Sequence, residues 1–120
     1  MKIKRWLWSV SLLCGCLLLT GCSRDFGSFT LMSSKNVNLA DFSNSKAEES
    51  GEKTEGVDCA HIICIFPTGV PNLKEATDRA LESKNAYMLT NVRVKSFFFY
   101  VPYIYGQEKI TVAGTPVRRK

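Results

Sequence analysis

The chain has 120 residues, which is enough for one domain with a buried core but not for two. Its formal net charge is +5, but three of the sixteen basic residues lie before position 22 and all eleven acids lie after it. Residues 22–120 therefore carry a net charge of only +2. This weak charge, without an arginine-rich helix or an RNA-binding aromatic motif, argues against nucleic acid as a partner.

The first 22 residues have the composition of an export signal. Basic residues at positions 2, 4 and 5 precede a thirteen-residue, largely apolar run from Leu7 to Leu19, and the small residues Thr20 and Gly21 follow. The alternative is an uncleaved transmembrane helix. Thirteen residues of helix span roughly 20 Å, which is shorter than the ~30 Å hydrocarbon core of a bilayer.

The stretch Leu19-Thr20-Gly21-Cys22 resembles the lipobox of bacterial lipoproteins. That resemblance implies that residues 1–21 are a signal peptide, cleaved between Gly21 and Cys22, and that the Cys22 thiol carries a covalent diacylglyceryl group. Ser23, rather than Asp, follows the cysteine. By the sorting rule of Gram-negative lipoproteins, this implies an outer-membrane anchor. The accompanying hypothesis is that the domain lies on the periplasmic side, with the cell surface as the alternative.

Two cysteines, Cys59 and Cys64, remain once Cys22 and the two signal-peptide cysteines are set aside. A disulfide between them requires a turn or bulge, because five residues of straight strand span about 16 Å and a disulfide needs Cα atoms within roughly 4.4–6.8 Å. The favoured interpretation is that both are small buried hydrophobic residues.

The segments between Cys22 and the middle of the chain predict a tether, a strand and a loop. Residues 22–28 are interpreted as a short tether, and the single domain then covers residues 29–120. Phe29–Met32 has strand character, with Phe29 and Leu31 on one face. Residues 43–56 contain no large apolar side chain and predict a solvated loop.

A central strand and a helix are predicted next. Val57–Phe66 is apolar on both faces, which is typical of a strand inside a sheet. Asn72 is a suitable N-cap, and Asn85 is a suitable left-handed stop. Between them, helical spacing defines one apolar stripe, which consists of Leu73, Ala76, Ala80 and Leu81.

The remaining segments predict strands. Tyr87–Lys95 alternates with Met88, Thr90, Val92 and Val94 on one face. An aromatic strand, Ser96–Tyr105, follows, and a turn at Gly106-Gln107 leads into a last strand, Lys109–Val117. This order predicts an α+β fold: a small, mostly antiparallel sheet of four to five strands with one helix packed on one face. The link from Val57–Phe66 through the helix to Met88 is compatible with a right-handed, locally parallel crossover.

Several segments resemble small Gram-negative outer-membrane lipoproteins of unassigned function. They are Ser33-Ser34-Lys35-Asn36-Val37, Glu55-Gly56-Val57-Asp58-Cys59, and Ile65 to Asn72 with Ala76, Asp78 and Ala80. The helix followed by Thr90-Asn91-Val92 is more loosely similar to the TRL-like lipoprotein family. Both resemblances imply a fold and an address, with no activity.

Residues with catalytic or metal-binding chemistry are sparse. His61 is the one histidine, and on a strand it shares a face with Cys59, so both could touch one metal ion, but a zinc site needs a further ligand. No third group orients a Cys-His nucleophilic pair. The sequence predicts no enzyme and no cofactor other than the lipid on Cys22.

The aromatic strand is the strongest candidate for a contact surface, since one helix covers only one face of a sheet. Tyr103 and Tyr105 are predicted as contact residues, because tyrosine tolerates both water and burial. The predicted partner is an envelope protein, a second copy of the chain or the membrane. The alternative function is binding of a metal or small ligand by Cys59, His61 and the aromatic strand.

Overall fold

The computed structural model describes residues 2–17, 21–38, 40, 48–49 and 51–118. The predicted solvated loop falls partly outside these ranges, at residues 43–47 and 50. The helices and strands, in chain order, are α1 (Lys2–Leu17), β1 (Cys22–Met32), β2 (Glu48–Glu49), β3 (Thr54–Ile63), β4 (Phe66–Pro67), α2 (Leu73–Glu82), β5 (Met88–Val101) and β6 (Tyr105–Arg118).

One sheet contains all of these strands. Its order is β1-β5-β6-β3-β4, β2 lies against the end of β6, and every strand pair is antiparallel. The predicted α+β class is therefore confirmed. Strands β3 and β5 run in the same direction, as the predicted crossover requires, but β6 lies between them, so they do not pair with each other.

Helix α2 begins and ends where its sequence predicts. The Asn72 side chain caps the first turn by accepting a hydrogen bond from the Lys74 backbone N–H at 2.9 Å. At the other end Asn85 adopts a left-handed conformation, with φ of 50°. The N–H of Ala86 then donates to the Leu81 carbonyl at 2.9 Å, which is the pattern of a Schellman C-cap.

The core lies between α2 and one face of the sheet. Ala76, Ala80 and Leu81 are fully buried, as the predicted stripe requires. Leu73 is 40% exposed instead, and Thr77 takes the buried position next to the stripe. The strand residues packed into the same cluster are Leu89, Val92, Val94 and Val112.

Helix α2 lies directly on the backbone of β3. A Cβ atom at Gly56 would stand only 2.0 Å from the Ala76 carbonyl oxygen and 2.5 Å from the Ala80 nitrogen. Residues 51–53 are exposed and outside any strand, as the predicted loop requires, but Thr54 and Gly56 are buried in β3, so the prediction is wrong for residues 54–56. The absence of a large side chain at Gly56 comes from close packing rather than from solvation.

A bulge in β5 changes the predicted alternation. Asn91 has a φ of 50°, and the register with β6 shifts between Thr90 and Arg93. Because of this extra residue, Leu89 and Val92 are both fully buried. The prediction that Leu89 faces away from the core is therefore wrong.

The N-terminal part of the predicted domain also differs. Residues 22–28, predicted as a tether, belong to β1, which pairs with β5 from Cys22 opposite Phe98 to Met32 opposite Leu89. β1 is an edge strand, and Phe29 and Leu31 on it remain exposed. The backbone pairing outweighs the low apolar content of these residues.

The strand boundaries around the aromatic residues also require correction. Residues 88–101 form one continuous strand, and the turn lies at residues 102–104 rather than at Gly106-Gln107, which belong to β6. The predicted strand Val57–Phe66 begins and ends three residues earlier, at Thr54 and Ile63. A local turn at residues 64–65 then leads into β4.

The close approach at Gly56 gives a stability prediction. Gly56→Ala should lower the free energy of unfolding by about 1–3 kcal/mol, because α2 must move away from the sheet to make room for the new methyl group. Gly69→Ala is the matched control, since a Cβ there meets nothing within 4 Å, and it should change stability by less than about 0.5 kcal/mol. Chemical denaturation measures both. Equal effects would contradict the contact between α2 and β3.

Candidate binding surface

The aromatic residues of β5 lie on the sheet face opposite to α2. Val94 is buried under α2, so the alternation of the strand turns Phe97 and Phe99 to the other face. Phe97 pairs with Lys109 on β6, and Phe99 pairs with Gln107. Because paired residues share a face, these side chains form one surface.

Four rings form a continuous row across three strands on this face. Their centroids are 5.9 Å apart for Phe97 and Phe99, 5.8 Å for Phe99 and Tyr105, and 5.9 Å for Tyr105 and His61. These spacings are typical of stabilising aromatic pairs. We call Phe97, Phe99, Tyr105 and His61 the aromatic row.

Each end of the aromatic row meets a different chemical group. The Lys109 ammonium lies 6.0 Å from the centroid of Phe97, at the limit of a cation–π contact. The Phe97 ring also occupies the space where a Gly21 side chain would be, since a Cβ there would lie 2.8 Å from the ring. At the other end, Nδ1 of His61 and the Tyr105 hydroxyl share a hydrogen bond of 2.6 Å.

The structure places the two candidate metal ligands on the same face, as predicted. Cys59 lies opposite Lys109 and His61 lies opposite Gln107, and neither of these neighbours supplies a further anionic or imidazole ligand. Among the described residues, no group of three or more His, Cys, Asp or Glu side chains converges on one point. One His61 nitrogen already has a partner in Tyr105.

Cys59 and Cys64 differ from the interpretation that both are buried. Both are exposed and unbonded to each other. Cys64 lies in the turn after β3 with a φ of 57°, where its carbonyl accepts a 2.6 Å hydrogen bond from the Tyr100 hydroxyl. The turn removes Cys64 from the strand that carries Cys59.

The two predicted contact tyrosines lie in different surroundings. Tyr103 occupies the turn between β5 and β6 with a φ of 61°, and it is 79% exposed. Tyr105 is the first residue of β6, is 37% exposed and contacts the rings of Phe99 and His61. The predicted single strand Ser96–Tyr105 is therefore wrong at its end, because the chain turns between Val101 and Tyr105.

The ion pairs of the described residues all involve α2 or the segment that follows it. Lys74 bonds Asp78 at 2.8 Å, Arg79 bonds Asp58 at 3.1 Å, and Lys84 bonds Glu52 at 2.9 Å. The hydrogen bond from Lys74, assisted by Ser34, holds the pKa of Asp78 below its ordinary value. Of the three pairs, only Arg79–Asp58 joins α2 to a strand, and none includes a residue of the aromatic row.

Cys22 and Gly21 are both exposed, and Cys22 is the first residue of β1. The segment before them includes α1, in which every described side chain from residue 2 to residue 15 is exposed. Across the described ranges, no helix has the length and apolarity that crossing a membrane requires. The cysteine predicted to carry lipid is thus open to modification at the edge of the sheet.

Comparison with known proteins gives no assignment. No protein-family model matches the chain, and no significantly similar protein was found among curated sequences or solved structures.

Sequence reasoning missed how the aromatic row is assembled. His61 and Phe99 are 38 positions apart in the chain, and only the pairing of β3 and β5 with β6 brings them together. His61 was grouped with the aromatic strand only as an alternative ligand site, because no local pattern in the sequence indicates which strands pair. Tyr105 connects the phenylalanines of β5 to His61 on β3, because its ring contacts both Phe99 and His61.

The different surroundings of the two tyrosines give a second prediction. Tyr105→Ser should lower the free energy of unfolding by about 1–2 kcal/mol, because it removes two ring contacts and the hydrogen bond to His61. Tyr103→Ser should change it by less than about 0.5 kcal/mol, since that side chain is exposed. Thermal and chemical melts measure both. A larger loss for Tyr103→Ser would mean that the turn packs against the row.

Proposed function

We propose that this chain is a lipid-anchored outer-membrane lipoprotein whose domain faces the periplasm and acts as a structural or interaction component of the cell envelope. The observation that carries the proposal is the order of an apolar helix, small residues and Cys22 at the start of the chain. In this proposal residues 1–21 are removed as a signal peptide, and Cys22 becomes the first residue.

The surface of α1 supports an export role for the segment. Trp6, Trp8 and Leu12 are each exposed by more than 70%, a state that is costly in water for such large apolar side chains. A membrane or the apolar channel of an export machine would cover them. At sixteen residues α1 spans roughly 24 Å, which suits a transient signal better than a stable span of a ~30 Å core.

The chemistry proposed at Cys22 needs only an accessible thiol and a short, open approach to the peptide bond before it. The Cys22 sulfur displaces a leaving group from a lipid donor and forms a thioether with diacylglycerol. Hydrolysis of the Gly21–Cys22 peptide bond then frees the Cys22 amino group for acylation. Gly21 offers no side chain to obstruct a peptidase, and a larger residue there would have to displace the Phe97 ring.

The role of the domain is proposed to be binding rather than catalysis. The aromatic row supplies flat apolar area with hydrogen-bonding groups at one end, a combination that is enriched at protein interfaces. An envelope protein or a second copy of the chain is the proposed partner. Of the two predicted contact tyrosines, Tyr105 is the one that belongs to the row, whereas Tyr103 lies in the turn between β5 and β6. No observation favours the alternative metal site at Cys59 and His61 over this one.

Lipidation gives the first functional prediction. Protein extracted from the membrane fraction should start at Cys22 and carry the added mass of a diacylglyceryl group and a fatty acyl chain, which mass spectrometry measures. Cys22→Ser should abolish both processing and acylation, because the hydroxyl cannot replace the thiol. Cys59→Ser, which removes another exposed thiol, should be processed normally. Normal cleavage of Cys22→Ser would overturn the proposal.

Partner contact at the aromatic row gives the second functional prediction. A photo-crosslinking residue in place of Tyr105 should give a discrete adduct in intact cells, either with one envelope protein or with a second copy of the chain. The same residue in place of Glu82, which is exposed on α2, should give none. Identical adducts from both positions, or none from Tyr105, would contradict an interface at the row.

A further inference from the structure

Two turns of the chain meet at one end of the sheet. The turn between β3 and β4 and the turn between β5 and β6 are adjacent, since Ile63 pairs with Tyr105 and the Cys64 N–H donates to the Ile104 carbonyl at 3.3 Å. The first residue of β1 lies toward the same end, because Cys22 pairs with Phe98, three positions before the last residue of β5. We call the exposed apolar residues of these two turns the sheet tip; its members are Ile63, Ile65, Phe66, Tyr103 and Ile104.

The sheet tip is unusually apolar for a solvent-facing loop region. All five of its side chains are between 56% and 79% exposed. Turns of soluble domains normally carry polar residues, and contiguous exposed apolar side chains indicate a surface that meets another phase or molecule. The hydrogen bond from the Tyr100 hydroxyl to the Cys64 carbonyl holds the two turns together, so the exposed side chains form one unit.

The two turns themselves carry no charge. Residues 59–73 and 96–107, which build both turns and adjoining parts of the strands, contain no Asp, Glu, Lys or Arg. The nearest charged residues on the paired strands are Glu108, opposite Phe98, and Arg24, opposite Ser96. The opposite end of the sheet carries Glu52, Lys53, Lys84 and Arg118.

We propose that the sheet tip inserts into the interface of the lipid bilayer that holds Cys22, as a second membrane contact. This inference rests on the proposed lipidation, because the lipid would attach at this end of the sheet. Phe98, opposite Cys22, precedes the last residue of β5 by three positions, or roughly 10 Å. A lean of the sheet toward its β1 edge would bring Cys22 and the turn between β5 and β6, with Tyr103 and Ile104, to the same plane, because β5 is the neighbour of β1.

The chemistry of the sheet tip suits this position. Aromatic side chains with a polar end, such as Tyr103, prefer the headgroup level of a bilayer, while isoleucine and phenylalanine gain from contact with the acyl chains. Charged side chains, which oppose insertion, are absent from both turns. With two contacts instead of one, the domain cannot rotate freely about its anchor, and the aromatic row keeps a fixed orientation toward the periplasm.

A single-tryptophan fluorescence experiment tests the insertion. Both tryptophans of the chain, Trp6 and Trp8, lie before Cys22, and changing them to Phe leaves no tryptophan whether or not the segment is removed. Tyr103→Trp then reports on the tip, and Asn36→Trp, at an exposed site beyond the far end of β1, is the matched control. Each membrane-extracted variant is reconstituted into phosphatidylethanolamine–phosphatidylglycerol vesicles that contain phosphatidylcholine brominated near the headgroup.

Insertion should shift the emission of Tyr103→Trp to shorter wavelength, and the brominated lipid should quench it, while Asn36→Trp shows neither change. Adding Ile104→Asp to Tyr103→Trp should return quenching to the level of the control, with an unchanged melting temperature because Ile104 is exposed. Equal quenching at positions 103 and 36 would overturn the inference. A wavelength shift that grows with protein concentration, without quenching, would overturn it in favour of a contact between two copies.

Mass spectrometry of the same samples keeps the two proposals separate. Acylated Cys22 with an unquenched Tyr103→Trp would support the anchor and reject the inserted tip. A quenched Tyr103→Trp on a chain without acyl mass would support the tip and reject the lipoprotein proposal.

Discussion

The contact between α2 and β3 at Gly56 is the constraint on which the rest of the structure depends. The helix backbone lies so close to the strand that no side chain fits at Gly56, and Ala76 and Ala80 are the residues that face it. Small residues on both elements allow this close approach, and Ala76 and Ala80 then pack in one buried cluster with Val92 and Val112. Because α2 covers this face of the sheet, the aromatic residues lie on the other, uncovered face.

The bulge at Asn91 makes that division possible within one strand. Residues before it and after it follow opposite alternation, so Leu89 and Val94 both reach the core although an odd number of positions separates them. The same shift turns Phe97 and Phe99 outward, where they join Tyr105 and His61. A left-handed Asn residue thus determines which aromatic side chains are available for contact.

The two ends of the sheet carry different chemical groups, and the proposed functions divide in the same way. The two turns at the end nearest Cys22 carry no charged residue, and the other end carries the charged groups that surround the C-terminus of α2. A lipid on Cys22 and an inserted tip would act on the same end, and the aromatic row would lie just behind it. The domain would then present an oriented sheet face rather than a tethered globule, which is useful for a component that binds other envelope molecules.

The sequence alone determined the features that depend on neighbouring residues. The caps of α2 at Asn72 and Asn85 are local hydrogen-bond patterns, the buried stripe of Ala76, Ala80 and Leu81 follows from helical spacing, and the succession of strands after one helix determined the α+β class. The resemblance of residues 19–22 to a lipobox also comes from the sequence, and lipidation and membrane location remain predictions. Tertiary structure decided what depends on distant partners. Residues 22–28 became a strand because β5 offered an edge, Gly56 became buried because α2 lies over it, and Cys64 became exposed because the chain turns there. The aromatic row and the sheet tip each join segments that are roughly 40 positions apart. Cross-strand contacts bring such segments together, and a local sequence pattern does not show which strands will pair.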